Sequence, residues 1–285
     1  MRRGVRRGTA AFAFVLMTAC GGSPNRPGPQ PPPPPPPPPA NNVPVIESIT
    51  VQGSRAQEPP SFADLSEIVE VTAQVRDDET SVDQLQFTWT ASSGTFNGSG
   101  RRVTWQAPPL AETPSVVTLT LAVVERYGGS FEHRVTRNAE VALHDSVREV
   151  ADMSRQFLLD FSDSTIRDVS FIMRNFDPGC YGTEQETEDV ARNRRDLRIT
   201  GSTIGPAAVT VRFGGTCPFR ARPGDACAQI PASWSSVWVR DGSRAPSVRG
   251  TDQVAAMYQR AERRWRLCDS QFNGDMVAIM RQYFR

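Results

Sequence analysis

Five cysteines, two histidines and a scatter of carboxylates are the groups in this chain that could do chemistry. Four of the thiols, Cys180, Cys217, Cys227 and Cys268, fall in the C-terminal half. In an exported chain they read as two disulfides, with three pairings open. Cys217 and Cys227 flank Pro218–Ala226 between two predicted strands, which favours a hairpin staple; Cys180 and Cys268 would then tie a helical layer to the last strand. A tetrathiolate zinc site is the rival, but no Cys-x-x-Cys spacing is present. Asp160, Asp163, Asp168, Glu188 and Asp189 stand in or beside predicted helices, where capping or solvation is the plain reading. A catalytic role would need one of them buried, so that its pKa rises toward neutrality. Histidine is absent beyond His144, and His133 and His144 are read as structural or exposed. No Gly-x-Ser-x-Gly, phosphate-binding glycine loop or metal triad occurs. Asp77, Asp78, Glu79 and Asp83 could offer oxygens to calcium but lack an alternating Asp-x-Asp-x-Asp run, so solvation is favoured. No catalytic residue, metal or cofactor is assigned. Trp234, Trp238, Tyr258 and Trp265 are candidates for the wall of an apolar ligand pocket, with at least half of them needed as core.

The fifth thiol, Cys20, sits in a different context. Met1–Arg7 carries four arginines, and an apolar run of about ten residues then ends at Ala19-Cys20-Gly21-Gly22-Ser23, the layout of an export signal. That run is half of the roughly 20 residues a spanning helix needs. Leu16-Met17-Thr18-Ala19-Cys20 resembles the bacterial lipobox, with Met17 where leucine is commonest. The resemblance implies a signal peptide over 1–19 and acylation of Cys20, which would hold the chain to membrane lipid. Gly21 in place of Asp implies the outer membrane. Residues 20–43 follow as a tether with nine consecutive prolines, Pro31–Pro39, reaching roughly 28 Å as polyproline II.

The rest of the chain must position whatever site exists, and its elements divide in two. Over 44–144, short β-rich runs recur: Val45–Val51, Ile68–Val75, Leu85–Ala91, Arg102–Gln106, Val116–Val124 and Phe131–Leu143. Alternation at Val69, Val71, Ala73 and Val75, and at Leu85, Phe87 and Trp89, predicts an antiparallel β-sandwich with Phe87, Trp89 and Trp105 in its core. The wording around Val75-Arg76-Asp77-Asp78, Leu85–Gly94 and Val103–Pro108 resembles the polycystic-kidney-disease-type, immunoglobulin-like repeats of bacterial surface proteins. Glu125 stands in the place of their usual Asp. Such modules imply a spacer or a protein or glycan contact.

Over 145–285 the pattern changes to helices and then strands. Val147–Phe161 and Ile166–Phe176 have helical spacing, and Thr187–Arg195 predicts a third helix. Strands are expected at Leu197–Ile204, Ala208–Phe213, Ala226–Ile230, Ser233–Arg240 and Trp265–Phe272, with a last helix at Asp275–Arg285; residues 253–264 fit either helix or strand. Helices first, then an antiparallel sheet ending in Arg264-Trp265-Arg266-Leu267, resembles the cone-shaped nuclear transport factor 2-like α+β superfamily. That implies helices packed on a curved sheet around a pocket, a fold that hosts enzymes, binders and scaffolds alike.

Net charge completes the reading. With 32 basic and 31 acidic side chains the chain carries +1, which argues against a nucleic-acid partner. Every cation is arginine, a bias that strips any one arginine cluster of weight in the sequence. The expectation is therefore a membrane-anchored cell-envelope lipoprotein. Its partners would be membrane lipid through Cys20 and an envelope protein or glycan. Its C-terminal domain would hold a partner or a small apolar ligand, and its oligomeric state is open. The alternatives are an isomerase- or hydrolase-like enzyme using a pocket carboxylate, and a pure envelope spacer.

Overall fold

Antiparallel sheets set the architecture: strands make up 51% of the described residues and helices 16%. The structure, a computed structural model, describes residues 40–274. Eight strands come first: β1 (Val45–Gln52), β2 (Phe62–Asp64), β3 (Ile68–Arg76), β4 (Gln86–Ala91), β5 (Thr95–Asn97), β6 (Arg102–Gln106), β7 (Ser115–Tyr127) and β8 (Phe131–His144). They form two four-stranded sheets, ordered β1-β3-β6-β5 and β2-β8-β7-β4. The alternating residues of β3 and β7 put one face of each strand inward. Val51, Val69, Val71 and Trp105 of the first sheet share a core with Ala63, Leu119, Val141 and Leu143 of the second. Trp105 is fully buried, whereas Phe87 and Trp89 are half-buried against a second cluster of Ile46, Ala73, Val75, Leu85, Leu121 and Val123.

Helices α1 (Ser146–Ser162), α2 (Val169–Ile172) and α3 (Thr183–Asp196) follow, then β9 (Leu197–Ile204), β10 (Ala208–Cys217), β11 (Arg222–Trp238), β12 (Val248–Gln259) and β13 (Arg264–Gly274). Asp145 caps α1 by accepting from the Arg148 amide, as its side chain predicts. The second expected helix is cut to α2 because the chain after it pairs as a strand: Phe176 bridges Leu267, and the Leu267 amide donates to the Asn175 carbonyl. The third helix starts earlier than expected, at Thr183. Gly182 makes that start possible, since a Cβ there would lie 2.6 Å from the Cβ of Asp269.

The last five strands form one sheet, β10-β11-β12-β13, with β9 also on β11. The two strands expected at Ala226–Ile230 and Ser233–Arg240 are one, because Pro231 does not break β11. It falls at the changeover between partners, where pairing with β10 ends at Gln229 and pairing with β9 begins at Ala232. Residues 253–259 are strand, closing on β13 through a turn in which Arg263 has φ of 52°. Val150, Phe157, Ile172, Val190, Ile230, Val254 and Leu267 make the core between the helices and this sheet.

The two halves meet in a polar and aromatic joint. Buried His144 bonds Glu149 through Nδ1 at 2.9 Å and the Tyr258 hydroxyl through Nε2 at 3.2 Å. The Ser146 hydroxyl donates to Asp64 at 2.6 Å, and Trp265 Nε1 donates to Ser146 at 3.1 Å. Phe62 stacks on His144 and meets Phe213 and Tyr258 edge-on. Arg55 holds Asp64 at 2.6 Å and Glu67 at 2.8 Å, and also pairs with Glu58.

Candidate functional site

An apolar cleft opens where the end of α1, the end of α3, β9 and the far end of β11 converge. Its walls include Phe161, Leu197, Ile199, Trp234, Trp238 and Val248. Trp234 and Trp238 are four residues apart on β11 and so share a face. Trp234 is held firmly: its Nε1 donates to the Ser162 hydroxyl at 2.8 Å, and Phe161 and Phe272 meet it edge-on at 5.9 Å and 4.7 Å. Trp238 is looser, half-buried, with the Arg240 guanidinium 5.1 Å from its ring. The segment after β11 closes one side, the Ala245 amide donating to the Ser236 carbonyl at 2.9 Å.

The structure divides the four expected aromatic residues. Tyr258 and Trp265 are buried in the joint with Phe62, Phe213 and His144, away from the cleft, and make up the half of the four expected as core. The cysteines pair as Cys180–Cys268 and Cys217–Cys227, with Cα separations of 5.3 Å and 5.5 Å. Both bridges pack with Phe219 and Ala255 and take no part in the cleft. Cys20 and the helix expected at Asp275–Arg285 lie outside the described residues.

No carboxylate lines the cleft. Buried Asp160 pairs with Arg174 and accepts from Gln156 at 2.9 Å. Asp163 and Asp168 hold their own turns by accepting from Thr165 and Ser170, and these bonds keep both below the usual carboxylate range. Glu188 is exposed, and Asp189 pairs with Arg192 at 2.6 Å. Asp77 accepts from the amides of Glu79 and Thr80, while Glu79 accepts from Asn42. Among the described residues no three His, Cys, Asp or Glu side chains converge as metal ligands.

Sequence reasoning missed a second set of acids. Asp252, on the inward face of β12, is 2% exposed. Burial pushes its pKa up to about 7, with Asp269 adding to the rise and the Ser270 hydroxyl, 3.0 Å away, opposing it. Glu186 on α3 is raised well above the usual range by burial and then by Asp252, Asp189 and Asp269. The inward phase of Asp252 was the available signal: it continues the series Val254, Ala256 and Tyr258.

No family model, curated protein or solved structure matches the chain.

Proposed function

We propose that this chain is a lipid-anchored cell-envelope protein that binds a small apolar ligand and does no chemistry on it. The observation that carries the reading is the cleft lined by Trp234 and Trp238 without a carboxylate among its walls. An apolar surface favours transfer of hydrocarbon out of water at about 25 cal/mol per Å², and its walls offer no carboxylate or histidine as a general base. The lipobox-like sequence at Leu16–Cys20 supports the anchor, and the polyproline segment supports a stalk between lipid and folded part. Paired sheets in the first half and helices laid on an antiparallel sheet in the second agree with the immunoglobulin-like and nuclear transport factor 2-like resemblances.

Two experiments test this. Cys20→Ser should move the protein from the membrane to the soluble periplasmic fraction, and continued membrane retention refutes the anchor. In the Cys20→Ser chain, which needs no detergent, octanol should shift the indole N–H resonances of Trp234 and Trp238 and leave that of Trp265, in the joint, unmoved. Trp238→Ala should weaken octanol binding about tenfold; an unchanged titration removes the cleft as the site.

Asp252 favours a second reading, an isomerase- or hydrolase-like enzyme, because a buried carboxyl group with its pKa up to about 7 suits proton transfer, and Glu186 beside it is raised in the same direction by burial. Neither lines the cleft, so the binding reading stands first.

A further inference from the structure

A second hollow lies beside the apolar cleft, and the two share Arg194, Leu197 and Trp238 as walls. They differ in size and chemistry. The cleft is narrow, about 50 Å³, and the hollow is about 500 Å³. An apolar cavity of roughly 150 Å³ holds one benzene. The narrow end therefore takes a few carbons of an unbranched chain and no ring.

The wide end is cationic. It is lined by Arg167 from the segment before α2, Arg194 and Arg195 from the last turn of α3, and Arg198 from β9, with no Asp or Glu among its walls. Arg195 is tied to Asp196 at 3.0 Å. Arg167, Arg194 and Arg198 have no carboxylate within ion-pair distance among the described residues, since Asp163 and Asp168 are turned to Thr165 and Ser170. Arg194 is the least well served. One of its terminal nitrogens donates to the carbonyls of Asp160 and Asp163 at 2.7 Å each, and its Nε is buried without an acceptor among the described residues. Partial burial weighs against the Arg194 charge and the nearby Asp163 carboxylate only partly offsets it, so an anion entering beside the guanidinium is favoured, and its planar fork suits carboxylate and phosphate oxygens.

We infer that cleft and hollow form one site for an anionic amphiphile: a short alkyl or acyl chain lies between Trp234 and Trp238, and a carboxylate or phosphate head rests on Arg167, Arg194 and Arg198. This deepens the binding reading above and rests on it. The head group accounts for the arginines around the wide hollow, and the chain for the apolar walls of the narrow cleft.

The test is isothermal titration of the full chain carrying Cys20→Ser with octanoate, octyl phosphate, octanol and inorganic phosphate. Octanoate, octyl phosphate or both should bind at least about tenfold more tightly than octanol, and the stronger of the two names the head group. Arg167→Gln with Arg198→Gln, both at exposed positions, should remove about tenfold from the anions and leave octanol unchanged. Octanol binding as tightly as both anions, or a double variant indistinguishable from its parent, overturns the head-group site while the cleft reading survives. Inorganic phosphate binding as tightly as octyl phosphate shows a hollow that works without the cleft and overturns the joined site. If no probe binds, octanol included, both readings fall together.

Discussion

Asp252 shows how far one side chain can be pulled from its ordinary behaviour by the sheet that carries it. Its pKa near 7 lies well above the value of 3.8 expected in the unfolded chain. A carboxyl group with a raised folded pKa favours the fold most below the unfolded value, and that contribution is lost as pH rises through about 7. Asp252→Asn keeps the shape and removes the charge. At pH 8 it should stabilise the protein by on the order of 2–4 kcal/mol, and at pH 4 by almost nothing. Urea midpoints at the two pH values read the difference; equal shifts at both would show that Asp252 is not desolvated. Glu67, pushed by burial up to about 7 against the pull of Arg55, shifts stability in the same direction between about pH 4.5 and 7. The same variant bears on the enzyme reading, because it removes the proton-carrying group without touching Trp234 or Trp238.

At the scale of elements, the two disulfides do unequal work. Cys180–Cys268 spans 88 residues and ties the approach to α3 to β13, whereas Cys217–Cys227 spans 10 and joins neighbouring strands β10 and β11. Chain entropy makes the longer bridge worth about 4 kcal/mol and the shorter about 2–3. Removing each as a double Cys→Ala variant should lower the urea midpoint in that order, and a reversed order would overturn the ranking. This pairing was legible in the sequence because both hairpin strands were. The sandwich strands were legible for the same reason, their period-two alternation being long enough to see. β2 and β5, three residues each, carry no period, and so Phe62 went unnoticed although it centres the joint. Helical spacing from Ile166 to Phe176 misled because Phe176 is buried through a strand-like bridge. Of the candidate pocket aromatics, all four face inward on strands, and pattern alone cannot tell which end of a sheet each occupies. Tyr258 and Trp265 flank the β12–β13 turn, while Trp234 pairs with Val248 at the opposite end of β12. The arginine hollow was invisible because its members come from separate elements of a chain whose every cation is arginine.

For the whole molecule, the decisive feature is the joint around His144. The change in sequence character at Asp145 suggests two parts joined by a short link, yet the described residues fall within one compact unit. His144, Asp145 and Ser146 are themselves among the best-bonded residues of the contact, through Glu149, Tyr258, Asp64 and Trp265. Arg55 adds a cation facing three carboxylates and the rings of Phe62 and Phe213. The chain should therefore melt in a single calorimetric transition, and two resolved peaks would show the halves to be independent. Anyone dividing the gene between codons 144 and 145 would sever this knot rather than a hinge. Each fragment would then display a sticky aromatic face that the other was shaped to cover, and the two polypeptides, refolded together, should find one another again as a non-covalent pair.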